Sequence, residues 1–288
     1  FGSRHCGSRS DAWCEHVAPL YGIRTKMSRP PSFVAALRDT VRAVFVDDPP
    51  DAAELFKLAK QHRFPEVAEL LQKHMPSWRV VDDAGHTLLH WAALGGNVPC
   101  INAALAAGVP CDSRGGSAAG GQTPLMWAVA GGRVPAVQAL LDARADPQAR
   151  EVRNGATAMV LAVQQERFDA MPLLAEAGGP ALLAAGDRNG CVPAHWAAFA
   201  GHLAALTLLE SLKADLAAAD GRGMSPLHHA VRAYRPEVAA VLVERGVDPM
   251  AVTADHRNCI DMAEEQRNPS LLALLLAAML RRLLAQWP

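Results

Sequence analysis

Aromatic residues are scarce, at 5% of the 288 residues, so where the few rings fall is informative. Charge of one sign is lacking too. The chain has 28 Lys and Arg against 29 Asp and Glu, a net charge of −1, which gives no global pull toward nucleic acid. Cysteines are few: Cys6, Cys14, Cys100, Cys111, Cys191 and Cys259 show no paired spacing. A disulfide framework is therefore not expected, and a reducing, cytoplasmic setting fits best. The uncharged apolar run at 271–280 has ten residues, about half of the ~20 that a membrane-spanning helix needs. No signal-peptide core opens the chain. Ser-His-Asp motifs, a dinucleotide fingerprint and the kinase set are all missing, so no catalytic residue, cofactor or metal ligand is assigned. His5, Cys6, Cys14 and His16 have no zinc-module spacing.

What the chain does have is a phrase that recurs. Gly85-His86-Thr87-Leu88-Leu89-His90-Trp91-Ala92-Ala93 is followed by Gly121-Gln122-Thr123-Pro124-Leu125-Met126-Trp127-Ala128-Val129. Further copies open at Gly155, Gly190 and Gly223. The Thr place of the phrase falls at 87, 123, 157, 192 and 225, in steps of 36, 34, 35 and 33 residues. Weaker copies stand one period before, with Glu54 in the Thr place, and one after, at Asn258. Trp91, Trp127 and Trp196 share one slot of the phrase, and His90, His195 and His228 share the slot before it.

The phrase has a physical reading. Gly permits a tight turn with positive φ. Ser or Thr then caps a helix, and Pro is tolerated at its first position. The Ala pair allows close helix packing. A second helix follows, as at 134–142 or 238–244, with paired Leu or Val residues. Neither helix can bury its apolar face alone, so units must stack.

A period near 33 with Thr-Pro-Leu-His-x-Ala resembles the ankyrin repeat. That resemblance implies an all-α solenoid of about seven helix-turn-helix units with hairpin fingers. The expected repeats are 51–81, 82–113, 120–149, 153–186, 187–219, 220–252 and 255–288, the last as a C-terminal cap. Residues 1–31 read as a disordered leader, and 32–50 as a short helix and linker. The Gly-rich stretch 113–121 lacks the Lys-Ser/Thr ending of a phosphate loop and reads as a longer finger. The unit at 154–185 is the most degenerate internal copy, because Gly178-Gly179-Pro180 breaks its usual turn.

In ankyrin repeats the shared His is structural, and variable residues near the finger and after the Ala pair contact partners. Carried onto this chain, the candidate partner-binding residues are His86, Leu94, Trp127, Gln164, Gln165, Arg188, Phe199, Arg222, Met224 and Arg232. Phe199 is expected among Arg188, Arg222 and Arg232, where it would suit a partner with apolar and acidic residues. His229 and His256 are expected to face solvent. The function implied is a protein-interaction module binding protein or peptide segments, without nucleic acid and without membrane insertion. The His-Trp-Ala-Ala phrases are also similar to those in the ankyrin region of Asp-His-His-Cys palmitoyltransferases. The alternative they imply is a substrate-recruiting region of such an enzyme. Asp255-His256-Arg257-Asn258-Cys259 is not the transferase signature, since its Cys stands one residue too far along.

Overall fold

A computed structural model describes residues 52–74, 80–116 and 120–285. The expected leader, the helix at 32–46 and the tip of the Gly-rich loop lie outside the described residues.

The described residues form fourteen α-helices in seven consecutive pairs. The first helix of each pair is α1 (Ala52–Lys60), α3 (Leu88–Gly95), α5 (Pro124–Ala130), α7 (Ala158–Gln164), α9 (Pro193–Ala200), α11 (Pro226–Arg232) and α13 (Cys259–Glu265). The second is α2 (Phe64–His74), α4 (Val98–Ala106), α6 (Val134–Asp142), α8 (Met171–Leu183), α10 (Leu203–Ser211), α12 (Pro236–Glu244) and α14 (Pro269–Ala285). A 3-10 turn, Phe168–Ala170, leads into α8.

First helices of seven to nine residues are too short to persist alone in water. Tertiary packing stabilises them. Each first helix lies against the next first helix and against its own second helix. In α7 every residue from Ala158 to Val163 is buried, as expected of a helix covered on several sides. Leu89, Ala92, Ala93, Leu125, Ala128, Ala197 and Ala198 are likewise fully enclosed. The core is therefore a line running through the units, with no single centre.

Local chemistry sets where the helices begin. Thr123 and Thr157 cap α5 and α7, their hydroxyls accepting from the backbone N–H groups of Met126 and Val160. Pro124, Pro193 and Pro226 occupy first helical positions, where a missing N–H costs nothing. The first unit departs from the phrase. Glu54 stands inside α1, not at a cap.

Before each first helix from α3 onward a hairpin finger projects, and these fingers are laced to one another. Gly116 donates its backbone N–H to Ala84, Val152 to Gly120, Arg188 to Asn154, Gly221 to Asn189 and Ala254 to Arg222, at 2.7–2.8 Å. Among the described residues this lacing has one bond at each of the five junctions from the second unit to the last.

The degenerate unit shows its cost in α8. Gly179 has φ 63° and ψ −164°, which kinks the helix just before Pro180. Proline cannot continue a regular helix, and that backbone region is essentially reserved for glycine. At the other end, α14 runs for 17 residues. Among the described residues no helix is long and apolar enough to cross a membrane.

Candidate functional site

The first helices present one face, with the fingers, along the length of the array. The imidazoles of the phrase build its frame. His90 Nδ1 accepts the Thr87 N–H at 3.1 Å, so its proton sits on Nε2, which donates to the Gln122 carbonyl of the next repeat at 3.1 Å. His195 repeats this between Val192 and Met224, and His228 between Ser225 and Ala251. Each ring caps its own helix and ties it to the next finger. Burial, the largest influence, lowers the pKa of all three, and takes His90 down to about 4. They are neutral structural links.

An acidic residue at the base of the finger does a second job. Asp82 Oδ1 accepts the N–H groups of Ala84 and His86, closing the turn. Its Oδ2 receives Trp91 Nε1 at 3.2 Å. Asp187 holds Trp196 Nε1 at 3.1 Å in the same way. In the next repeat His229 takes the tryptophan's place and lies 2.8 Å from Asp220 Oδ2. The expectation that His229 faces solvent is thus corrected: it is buried, and its place in the phrase explains why. Arg232 Nη2 donates to His229 Nδ1 at 3.2 Å, so Nε2 carries the proton toward Asp220. Burial again depresses the His229 pKa. Burial works to raise that of Asp220, but hydrogen bonds from His229, Met224 and Arg222 outweigh it and hold the carboxyl below its ordinary range. His256 is exposed.

Cys191 joins this group, its thiol 3.7 Å from Asp220 Oδ2. Ligand atoms of Cys191, Asp220 and His229 lie within 4.8 Å of one another. Their chemistry is that of a hydrogen-bond network. Burial pushes the Cys191 thiol up to about 12. A cation would have to displace the proton from His229 Nε2 with the Arg232 guanidinium beside it.

Two patches on the face are partly open. Toward the N-terminal end, His86, His90, Trp91 and Trp127 form an aromatic cluster. Trp127 meets Trp91 edge-on at 5.0 Å and lies 4.5 Å from His86, and Lys60 sits 5.3 Å over Trp91. Further along, Gln164, Trp196, Phe199, Arg232 and Arg235 line an open recess of about 550 Å³. Phe199 is 41% exposed, with the Arg232 guanidinium 5.7 Å from its ring centroid.

The candidate residues therefore divide. Gln164, Phe199 and Arg232 come together at the recess. Trp127 lies in the aromatic cluster beside His86, whose side chain is buried and 3.2 Å from Asp82. Leu94 is half-buried and offers its carbonyl to Arg133. Gln165 is exposed at the end of α7. Arg188 and Arg222 belong to the fingers, where Arg188 donates to the Val152 carbonyl. Of the three arginines expected around Phe199, the structure brings Arg232 to the ring. Met224 is buried, its carbonyl taken by His195 and its sulfur 3.8 Å from Arg232. Trp196, Arg133, Arg167 and Arg235 were not among the candidates. The shared slot of the tryptophans was the available signal for the first. The arginines have a shared slot too, ten residues past the Thr place.

Family models for ankyrin repeats match residues 55–151 and 194–243. The chain belongs to the ankyrin-repeat family. Its ankyrin repeats have curated relatives in the proteins named palmitoyltransferase AKR1. That of Lachancea kluyveri is 31% identical over 86 residues, which is 30% of this chain and 12% of the relative. That of Candida glabrata is 32% identical over 82 residues, 28% of this chain and 11% of the relative. The matched stretch thus spans about an eighth of their length or less. Among solved structures, the ankyrin repeat domain of Bcl-3 aligns with TM-score 0.66 and 24% identity over 80% of this chain and 98% of its own. The human ASB11 ankyrin repeat domain gives the same score and identity over 78% and 96%. At that identity the likeness establishes the fold alone.

Proposed function

We propose that this chain binds a partner protein through the recess and the row of first-helix ends beside it, without carrying out chemistry on what it binds. Ankyrin repeats are protein-interaction modules, and the reading locates that role on this chain's surface. The observation that carries it is Phe199. A large ring stays 41% exposed at the mouth of a recess, with a tryptophan at its side and an arginine over its face. Rings and arginine are the side chains that most often dominate interface energetics. The near-neutral composition supports a protein partner over nucleic acid. The described cysteines are unpaired thiols, which supports a cytoplasmic setting.

The test is photo-cross-linking from position 164, which lines the recess, and from the exposed position 203 at the start of α10, with Phe199→Ala plus Arg232→Ala as comparison. Cross-linked partners should disappear in the double variant while the melting temperature moves little. Cross-links that persist unchanged in the variant would show that Phe199 and Arg232 do not carry the binding, and absence of any cross-link from both positions in the unaltered chain would move the binding face elsewhere.

A second reading is favoured by the two named relatives: the array is the recruiting region of a palmitoyltransferase, at the cytosolic face of a membrane. A transcript continuing past Pro288 into a Cys-rich Asp-His-His-Cys segment between apolar spans would support it. A transcript encoding another soluble domain there would remove it.

A further inference from the structure

Three arginines recur at one place in the array, ten residues past the Thr place of the phrase: Arg133, Arg167 and Arg235. All three are exposed. Each donates its Nε–H at 3.3 Å to a carbonyl in the last turn of the preceding repeat's first helix: Leu94, Ala130 and Phe199 respectively. Each stem lies over a glycine of the preceding unit. A Cβ built on Gly96, Gly132 or Gly201 would come within 2.9, 3.3 and 3.0 Å of the respective Arg Cδ. Nε and the stem are therefore fixed, while among the described residues none of the terminal nitrogens of the three donates to a protein acceptor. A guanidinium held by its Nε and open at its two terminal nitrogens is set for a carboxylate, which it grips with two parallel bonds.

The fourth junction breaks the row. There His202 takes the arginine's place and faces Glu166 at 3.8 Å. A carboxylate of a partner would be repelled by Glu166 at that point. The recess with Trp196 and Phe199 opens in this same repeat. The face thus reads, repeat by repeat, as cation, cation, then a recess floored by Trp196 and Phe199 whose far wall is the third arginine, Arg235. Packed helices stand about 8–10 Å apart. A polyproline II segment has three residues per turn and rises about 3.1 Å per residue, so every third side chain falls on one face and the chain advances roughly one repeat per turn.

We infer that the occupant of this face is a peptide segment in the polyproline II conformation bearing carboxylate side chains in register with Arg133, Arg167 and Arg235, and one aromatic side chain seated between the last two. Its pattern is acidic, acidic, aromatic, acidic, each separated by two residues, in either chain direction. The inference rests on the functional reading above and specifies the partner that reading leaves open.

Fluorescence anisotropy on the full chain with labelled synthetic peptides tests it. A peptide with the stated spacing should bind more tightly than one of identical composition with single-residue spacing, by about tenfold or more. Arg167→Gln and Arg235→Gln should each weaken it about fivefold. Lys213→Gln, a charge removed from the turn after α10, should not. Affinity should fall as salt rises. Equal affinity for both spacings, or insensitivity to both arginine variants, overturns the inference. So does equally tight binding of a single-stranded oligonucleotide, which would make the row a phosphate track. If no acidic peptide binds while cross-links from positions 164 and 203 still capture a protein, the partner class is wrong and the module reading stands. If both fail, the face itself is not the binding surface.

Discussion

At the scale of single residues, the recurring histidine joins two units with one ring. Removing the His90 imidazole leaves the Thr87 N–H and the Gln122 carbonyl without their partners in a buried setting. Each such loss costs about 1–3 kcal/mol. His90→Ala is expected to lower unfolding free energy by about 2–5 kcal/mol in urea titration, well beyond what an exposed substitution such as Gln165→Ala would do. The same ring makes the fold acid-sensitive. Its folded pKa of about 4 lies below the ordinary 6.5, so the unfolded chain binds the proton more readily. Stability is complete above pH 6.5 and falls as the pH drops from 6.5 toward 4, by about 3 kcal/mol for this group alone. His195, His228 and His229 are lowered in the same direction and add to the fall. Melting temperatures between pH 7 and 4 check this. A flat profile would mean the rings are not held neutral.

Among the elements, α8 is where the phrase fails and the helix pays for it. Gly179 has open space around its missing Cβ, so no clash opposes a side chain there. Its backbone angles alone do. Gly179→Ala is therefore expected to cost about 1–3 kcal/mol through backbone strain. Gly178→Ala would instead meet Leu182 side-chain atoms at 2.6–2.7 Å and should be tolerated only if that leucine shifts. Comparing the two variants by thermal melts separates conformational from steric cost. The fingers behave differently. Asp220 closes its hairpin through two backbone N–H groups and also receives His229. Asp220→Ala should unlace this finger, seen as faster amide exchange at Arg222, Met224 and Ala254.

For the whole molecule, each unit touches chiefly its neighbours, so stability is close to a sum of unit and junction contributions. His228 Nε2 donates to Ala251, the bond that links α11 to the finger of the last unit. His228→Ala should uncouple α13 and α14 from the rest. Urea unfolding followed by circular dichroism is then expected to split into two steps, with the C-terminal amides exchanging in the first. A single unshifted transition would show that packing of α13 against α11 suffices without the imidazole. The exposed Leu276, Leu280 and Leu284 on α14 lie four residues apart along one stripe and follow the same logic of a helix with one side unstacked.

Much was legible in the residues because the repeat multiplies a weak local signal. One Thr-Pro-Leu-His phrase is a modest hint; five in phase determine helix pairs, their caps, their stacking and the family. The bounds of α6 follow directly from Val-Pro after an arginine and from the Leu pair at its end. The setting of His229 was less legible: it stands in the tryptophan slot, nine residues past the finger's aspartate, but a histidine there meets that carboxylate only once the finger has folded over it. The company Phe199 keeps was not legible. Arg188, Arg222 and Arg232 are equally near in the list of variable places, yet two of them ride on fingers and one sits over the ring. The period, the helix starts and the residues that must be enclosed can be read from the order of amino acids, since those depend on spacing within one unit. Which arginine meets which carbonyl, and where a recess opens between units, was decided by tertiary structure, because such contacts form across a junction between residues about a repeat apart and depend on how one helix end lies on the next.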